Sequence, residues 1–167
     1  MIRPDYSIYL IVLVILSACQ PDDPARLYRP LILQYVNIWN TGDFTGIEAL
    51  LHPDFELRMT PKFEAEAGIE LFKENVSSWR QAYPDFTIRL DELVFAESAV
   101  SARWTITATN TGEGRHPSTG KAIEVLGLSI IHVLDGKIKD EWIASNNLYW
   151  LQQLGFTLKT PFESESP

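Results

Sequence analysis

Residues 141–155 read EWIASNNLYWLQQLG, so a strand-like run ends on Asn146 and Asn147 and continues as a helix. A strand end aimed into a pocket is a natural place for a general acid or base, and an amide there does different chemistry. Asn offers one acceptor and two donors; it can hold a carbonyl or hydroxyl but does not relay protons in water's pH range. A second amide, Asn110, closes the run TATN. Alternation along the strands puts Trp104 and Asn110 on one face of their strand, and Trp142 and Asn146 on one face of theirs. If those faces line a cavity, the four make a ligand-binding set, with amides gripping a polar substituent between aromatic walls. Both asparagines also fit the plainer role of turn residues at strand ends, where Asn is favoured.

Other groups able to move protons are few. Asp140 shares the strand parity of Asn146 and is the candidate substitute acid, although the same position is compatible with exposure. Glu141 has the opposite parity and is expected on the other side of the sheet. His132 sits in an apolar strand, where a satisfied, partly buried histidine is the usual occupant. His52, before a proline, and His116, in a Gly/Pro-rich loop, read as surface residues. The three histidines lack H-x-H or H-x-x-x-H spacing, so no metal site is expected. No G-x-S-x-G nucleophile elbow occurs.

The elements that must position these residues come in two groups. Leu27, Leu31, Tyr35, Ile38 and Trp39 mark one face of a helix closed by Thr41-Gly42-Asp43. A short helix with Ile47, Leu50 and Leu51 follows, ended by His52-Pro53-Asp54 before the strand-like FELRM. A third helix, over 66–82, carries Ile69, Phe72, Val76 and Trp79 and stops at Tyr83-Pro84-Asp85. The period then changes to two over the runs 86–96, 99–110, 121–134 and 137–145, with Asp135-Gly136 as a hairpin turn. A terminal helix spans about Asn147 to Leu154. Helices first and a long meander afterwards predict an α+β fold, a curved antiparallel sheet with the N-terminal helices packed on its concave face. Such a cone has an open end suited to a small apolar ligand. Trp39 and Trp79, at helical spacing, are assigned to the core; Trp104 and Trp142 fit core or pocket equally.

The 167 residues, 46% hydrophobic and 22% charged, suit one domain. A net charge of -8 without a local basic cluster argues against a nucleic-acid partner. The single cysteine, Cys19, excludes an internal disulfide and a Cys-based zinc site. The apolar run Ile8 to Leu16 falls short of the roughly 20 residues that cross a bilayer but suits the core of a secretory signal. Leu16-Ser17-Ala18-Cys19 resembles the lipobox of bacterial lipoproteins, which implies cleavage after 18 and lipidation of Cys19. The alternative is an uncleaved apolar anchor with an incidental cysteine. Gln20, where an aspartate would signal inner-membrane retention, implies an outer-membrane lipoprotein facing the periplasm. The expected organisation is a signal peptide at 1–18, a tether at 19–26, one domain at 27–157 and a polar tail at 158–167.

Four stretches give a more specific resemblance: WNTGD with LLHPDF (39–43 and 50–55), YPDFTIRLDEL (83–93), ARWTITATNTGEGRHPSTGKAIEVLG (102–127), and DGKIKDEW (135–142) running on to QQLG (152–155). In this order and spacing they resemble the SnoaL-like branch of the NTF2-like cone folds, which holds polyketide cyclases and ester cyclases. The resemblance spans roughly Leu31 to Gly155. It implies a cofactor- and metal-free intramolecular aldol ring closure, with an aspartate four residues after the E-W tryptophan as acid/base and a histidine at a neighbouring strand end assisting. Carried over by position, these fall on Asn146 and Asn110. The substitutions imply a cone that binds a small apolar molecule without catalysing its cyclisation. The alternative is an enzyme that uses another acid, such as Asp140. The resemblance also implies a possible homodimer through the outer face of the sheet, where Ser101, Thr105, Thr107 and Thr109 lie.

Overall fold

The computed structural model describes residues 23–59, 65–115 and 117–159. The expected signal segment, residues 19–22 of the expected tether with Cys19, residues 60–64, His116 and the tail from 160 lie outside the described residues. Helix α1 (Pro24–Thr41) starts on Asp23, whose carboxylate accepts from the Ala25 amide, and ends on Gly42 in the left-handed region at φ 72°. It is followed by α2 (Ile47–Leu50), β1 (Leu51–Arg58), the two-residue β2 (Glu66–Ala67), α3 (Ile69–Ala82), β3 (Thr87–Phe95), β4 (Ala99–Thr109), β5 (Ala122–Leu134), β6 (Lys137–Ser145) and α4 (Asn147–Leu154). This is the expected mixed α+β order.

The strands form one six-stranded sheet in the order β2-β1-β6-β5-β4-β3. Consecutive strands from β3 to β6 pair antiparallel, while β1 joins the far side of β6 in parallel. The first strand departs from the sequence reading: it starts at Leu51 and runs through His52-Pro53-Asp54, which were expected only to end the short helix before the strand. Proline is accommodated because the β1–β6 register shifts between Leu51 and Glu56, so no ladder hydrogen bond is asked of it.

The helices cover the concave face. Tyr35, Phe55 and Phe72 are almost wholly buried there: Phe72 stacks on Tyr35 at 5.3 Å and meets Phe55 edge-on at 5.4 Å, while Tyr35 and Phe55 lie tilted at 6.3 Å. β5 shows why its two faces differ: its buried positions alternate from Ile123 to Val133, with exposed residues between them and the half-buried His132 before the last. The edge strand β3 is tied to α1 by the Asn40 side chain, which donates to the Ile88 carbonyl at 3.0 Å and accepts from the Ile88 amide at 2.6 Å. Among the described residues no helix is long and apolar enough to cross a membrane.

Candidate functional site

Between α1, α3, α4 and the concave face of the sheet lies a cavity of about 370 Å³, open at one end. Its wall is largely aromatic and aliphatic. Trp79 stands 5.3 Å from Trp150 and stacks on Tyr83 at 5.6 Å, while the Trp150 indole donates to the Tyr83 hydroxyl at 3.1 Å. Trp39 and Trp79 thus serve as core and as cavity wall at once.

Trp104 reaches the wall because its cross-strand partner is Gly127. A β-carbon on Gly127 would fall 2.1 Å from the indole, so only glycine lets the ring lie flat across β5. In that pose the Trp104 Nε1–H donates to Ser129 Oγ at 2.9 Å. The indole can only donate, which leaves the Ser129 proton free to point onward. It points at Glu141, whose carboxylate also accepts from the Tyr35 hydroxyl at 2.6 Å.

Glu141 is the principal correction to the sequence reading. Expected on the far side of the sheet, it lines the cavity and is only 5% exposed. The cause is a bulge. Val133 pairs with Ile138, but His132 pairs with Asp140, so Lys139 is an extra residue and the facing of β6 reverses there. Ile138 points inward before the bulge; Glu141, Ile143 and Ser145 point inward after it. Unbroken alternation from Ile138 would instead send Asp140 and Trp142 inward, which is the expectation the structure overturns. Asp140 meets His132 Nδ1 at 2.6 Å, outside the cavity. Trp142 is 39% exposed, with the Arg58 guanidinium 5.0 Å over its ring.

The two asparagines separate. Trp104 and Asn110 do share a face of β4, and both border the cavity. Asn110, however, is 1% exposed and occupied: its Oδ1 accepts from the Thr119 amide at 2.8 Å and hydroxyl at 3.0 Å, and its Nδ2 donates to the Ala82 carbonyl at 3.3 Å. It clamps Thr119 to the end of α3. Gly112 and Gly114 allow the close approach, since β-carbons there would fall 1.8 Å from the Gln81 carbonyl oxygen and 2.6 Å from the Ala82 β-carbon. Asn146 is exposed and lies outside the wall; its Oδ1 caps α4 by accepting from the Tyr149 amide at 3.1 Å. Asn147 borders the cavity in its place.

Electrostatically the inner end is unusual. Burial pushes the Glu141 carboxyl up from its ordinary value, opposed by the hydrogen bonds from Ser129 and Tyr35. Burial and the adjacent carboxylate push the Tyr35 hydroxyl well up, so it remains a donor. Glu66 and Arg115 also line the cavity; Glu66 accepts from Asn75 Nδ2 at 2.7 Å. Among the described residues no group of three or more His, Cys, Asp or Glu could hold a metal. Glu141, Tyr35 and Ser129 are the residues that sequence reasoning missed. Two signals point to them: a serine at an inward position of an otherwise apolar strand, and two isoleucines, Ile138 and Ile143, whose opposite parity only a bulge reconciles.

Comparison with known proteins adds the family. The SnoaL-like polyketide cyclase model matches residues 30–154. Aklanonic acid methyl ester cyclase AcmA of Streptomyces galilaeus is 30% identical over 111 residues, covering 64% of this chain and 76% of that protein. Among solved structures, TsrD of Streptomyces laurentii superposes with a TM-score of 0.71 at 25% identity over 81% of this chain and 98% of that one. A candidate polyketide cyclase from Bacillus cereus gives 0.63 at 27% identity over 75% and 78%. The cone, its aromatic cavity and the match over nearly the whole described domain make this chain a member of the SnoaL-like polyketide cyclase family.

Proposed function

We propose that this chain is a lipid-anchored, extracytoplasmic member of the family whose cone holds a small, largely apolar molecule. The supporting observation is the cavity itself: about 370 Å³, walled mainly by aromatic and aliphatic side chains, with few polar groups to fix orientation. Trp104 and Asn110 border the space such a ligand would fill, and the buried Glu141 and Tyr35 offer its polar end a partner. Binding to the folded state alone raises thermal stability by mass action. The full-length chain is therefore expected to retain a discrete small-molecule adduct in native mass spectrometry and to gain thermal stability from apolar ring compounds. No adduct and no stabilisation across such a panel would remove the proposal.

The anchor is part of the same reading and rests on the lipobox. One acyl chain binds membranes marginally, whereas several on one cysteine hold firmly. Cys19→Ser is expected to move the protein from the membrane fraction to the soluble one; a variant that stays with the membrane would favour the uncleaved apolar anchor.

A second reading, an enzyme of the type that the name of AcmA describes, requires a group able to move protons inside the cone. Asp140 is out of position for that role, paired with His132 outside the cavity.

A further inference from the structure

We propose that Glu141 is a catalytic acid/base, and that the cone transfers a proton at a carbon next to a carbonyl in a neutral, largely apolar ring ketone. The inference rests on the cavity reading above.

The geometry carries it in three steps. First, Glu141 reaches the cavity only because β6 bulges at Lys139, which turns a carboxyl into an otherwise apolar wall. Second, its hydrogen bonds have a fixed direction. Trp104 can only donate to Ser129, Ser129 then donates to Glu141, and Tyr35 donates to the same carboxylate at 2.6 Å. Both neighbours thus present protons to the carboxylate, orient it, and leave its remaining lone pairs for the ligand. Third, the groups gathered at this end are a carboxylate and two hydroxyls, whose shared chemistry is to hold and move a proton. Burial raises the proton affinity of the carboxylate, which makes it a stronger base than a solvated one.

The step balances without a co-reactant. The Glu141 carboxylate takes the proton from the α-carbon, and the C–H electron pair becomes the carbon–carbon double bond of an enolate. The carbonyl oxygen receives the displaced electron pair. Glu141, now protonated, returns the proton to the oxygen or to a carbon of the enolate, which completes a tautomerisation and regenerates the carboxylate. Tyr35 is a positioning residue: its hydrogen bond orients the carboxylate and holds its proton affinity below what burial alone would give.

The test uses the full-length chain in detergent with β-tetralone, a bicyclic apolar ketone, in deuterated water. Proton NMR follows deuterium entering the α-carbon, and quenching of tryptophan fluorescence follows binding. The wild-type chain is expected to accelerate exchange over buffer, with a rate that rises with pH to a midpoint above the ordinary carboxylate range. Glu141→Gln is expected still to bind the probe, with a loss of affinity far smaller than its loss of about a hundredfold or more in exchange rate, the scale of a general base. Glu141→Asp should retain part of the rate, and Tyr35→Phe should shift the midpoint upward. Glu141→Gln exchanging like wild type, or a bound probe that wild type does not exchange, would overturn the assignment. A probe that fails to bind any of these proteins would overturn the cavity reading and this inference with it, so the two failures are distinguishable.

Discussion

A single side chain sets the character of the cavity. Glu141 is buried among apolar groups and accepts two hydrogen bonds, and burial outweighs them, so its proton is held more tightly in the folded chain than in the unfolded one. Linkage then fixes a sign. The stability this group contributes is full below the ordinary carboxylate range and is lost as pH rises through the raised folded value. Glu141→Gln, which does not titrate, is therefore expected to be more stable than wild type at neutral and alkaline pH, with the gap closing on acidification. Calorimetric melting across pH checks this; each 1 kcal/mol corresponds to about 2–4 °C in a chain of this size. Two melting curves that stay parallel at all pH values would show that Glu141 carries no such shift. A cavity acid held against its own stability is the usual trade of a working site.

At the level of elements, the asparagines that draw the eye in the sequence hold the scaffold. Asn146 caps α4, so Asn146→Ala is expected to cost about 1 kcal/mol, while Asn146→Asp, an equally good cap, should cost little. Asn110→Ala strips the buried loop clamp and should cost more, about 1–3 kcal/mol, because the Thr119 amide and the Ala82 carbonyl lose their partner. Denaturant melts of the three variants check the order, and equal losses would contradict it. The meander is legible: the change of period after Phe86 and the Asp135-Gly136 turn mark its strands to within one residue at each end. The third helix is legible only in part, since Glu66 and Ala67, expected as its first turn, pair with β1 as β2. The inner wall of β4 was legible too, because Trp104 and Asn110 lie on an unbroken strand. The inner wall of β6 was not. A bulge adds one residue without marking it, every later side chain changes face, and Trp142 and Asp140 were placed inside where Glu141 belongs. Pro53 misled for a related reason, since an irregular ladder tolerates what a regular one rejects.

At the scale of the molecule, the described residues form one enclosed apolar surface and, on the sheet, an open one. The open one is the outer face of the sheet, where Leu126, Leu128 and Ile130 on β5 and Trp142 on β6 are each 39–53% exposed. β4 contributes Ser101 and Thr107 beside them, with Thr105 buried against Asp91, and Arg103 and Glu92 on the same side form an exposed ion pair at 3.3 Å. An apolar centre beside paired charges of both signs suits a second copy related by a two-fold axis. Sedimentation of the full-length chain in detergent is expected to show a dimer, and Leu128→Glu with Ile130→Glu is expected to yield a folded monomer; a wild-type monomer would contradict this use of the face. The enclosed surface is the cone, and the claim that Glu141 is its working group has one most direct test. Isotope-edited NMR would follow the Glu141 carboxyl across pH, with the cone free and with β-tetralone bound. The expected result is a titration midpoint above the ordinary carboxylate range that moves when the ketone binds. A midpoint at or below that range, unmoved by a bound ketone, would contradict it.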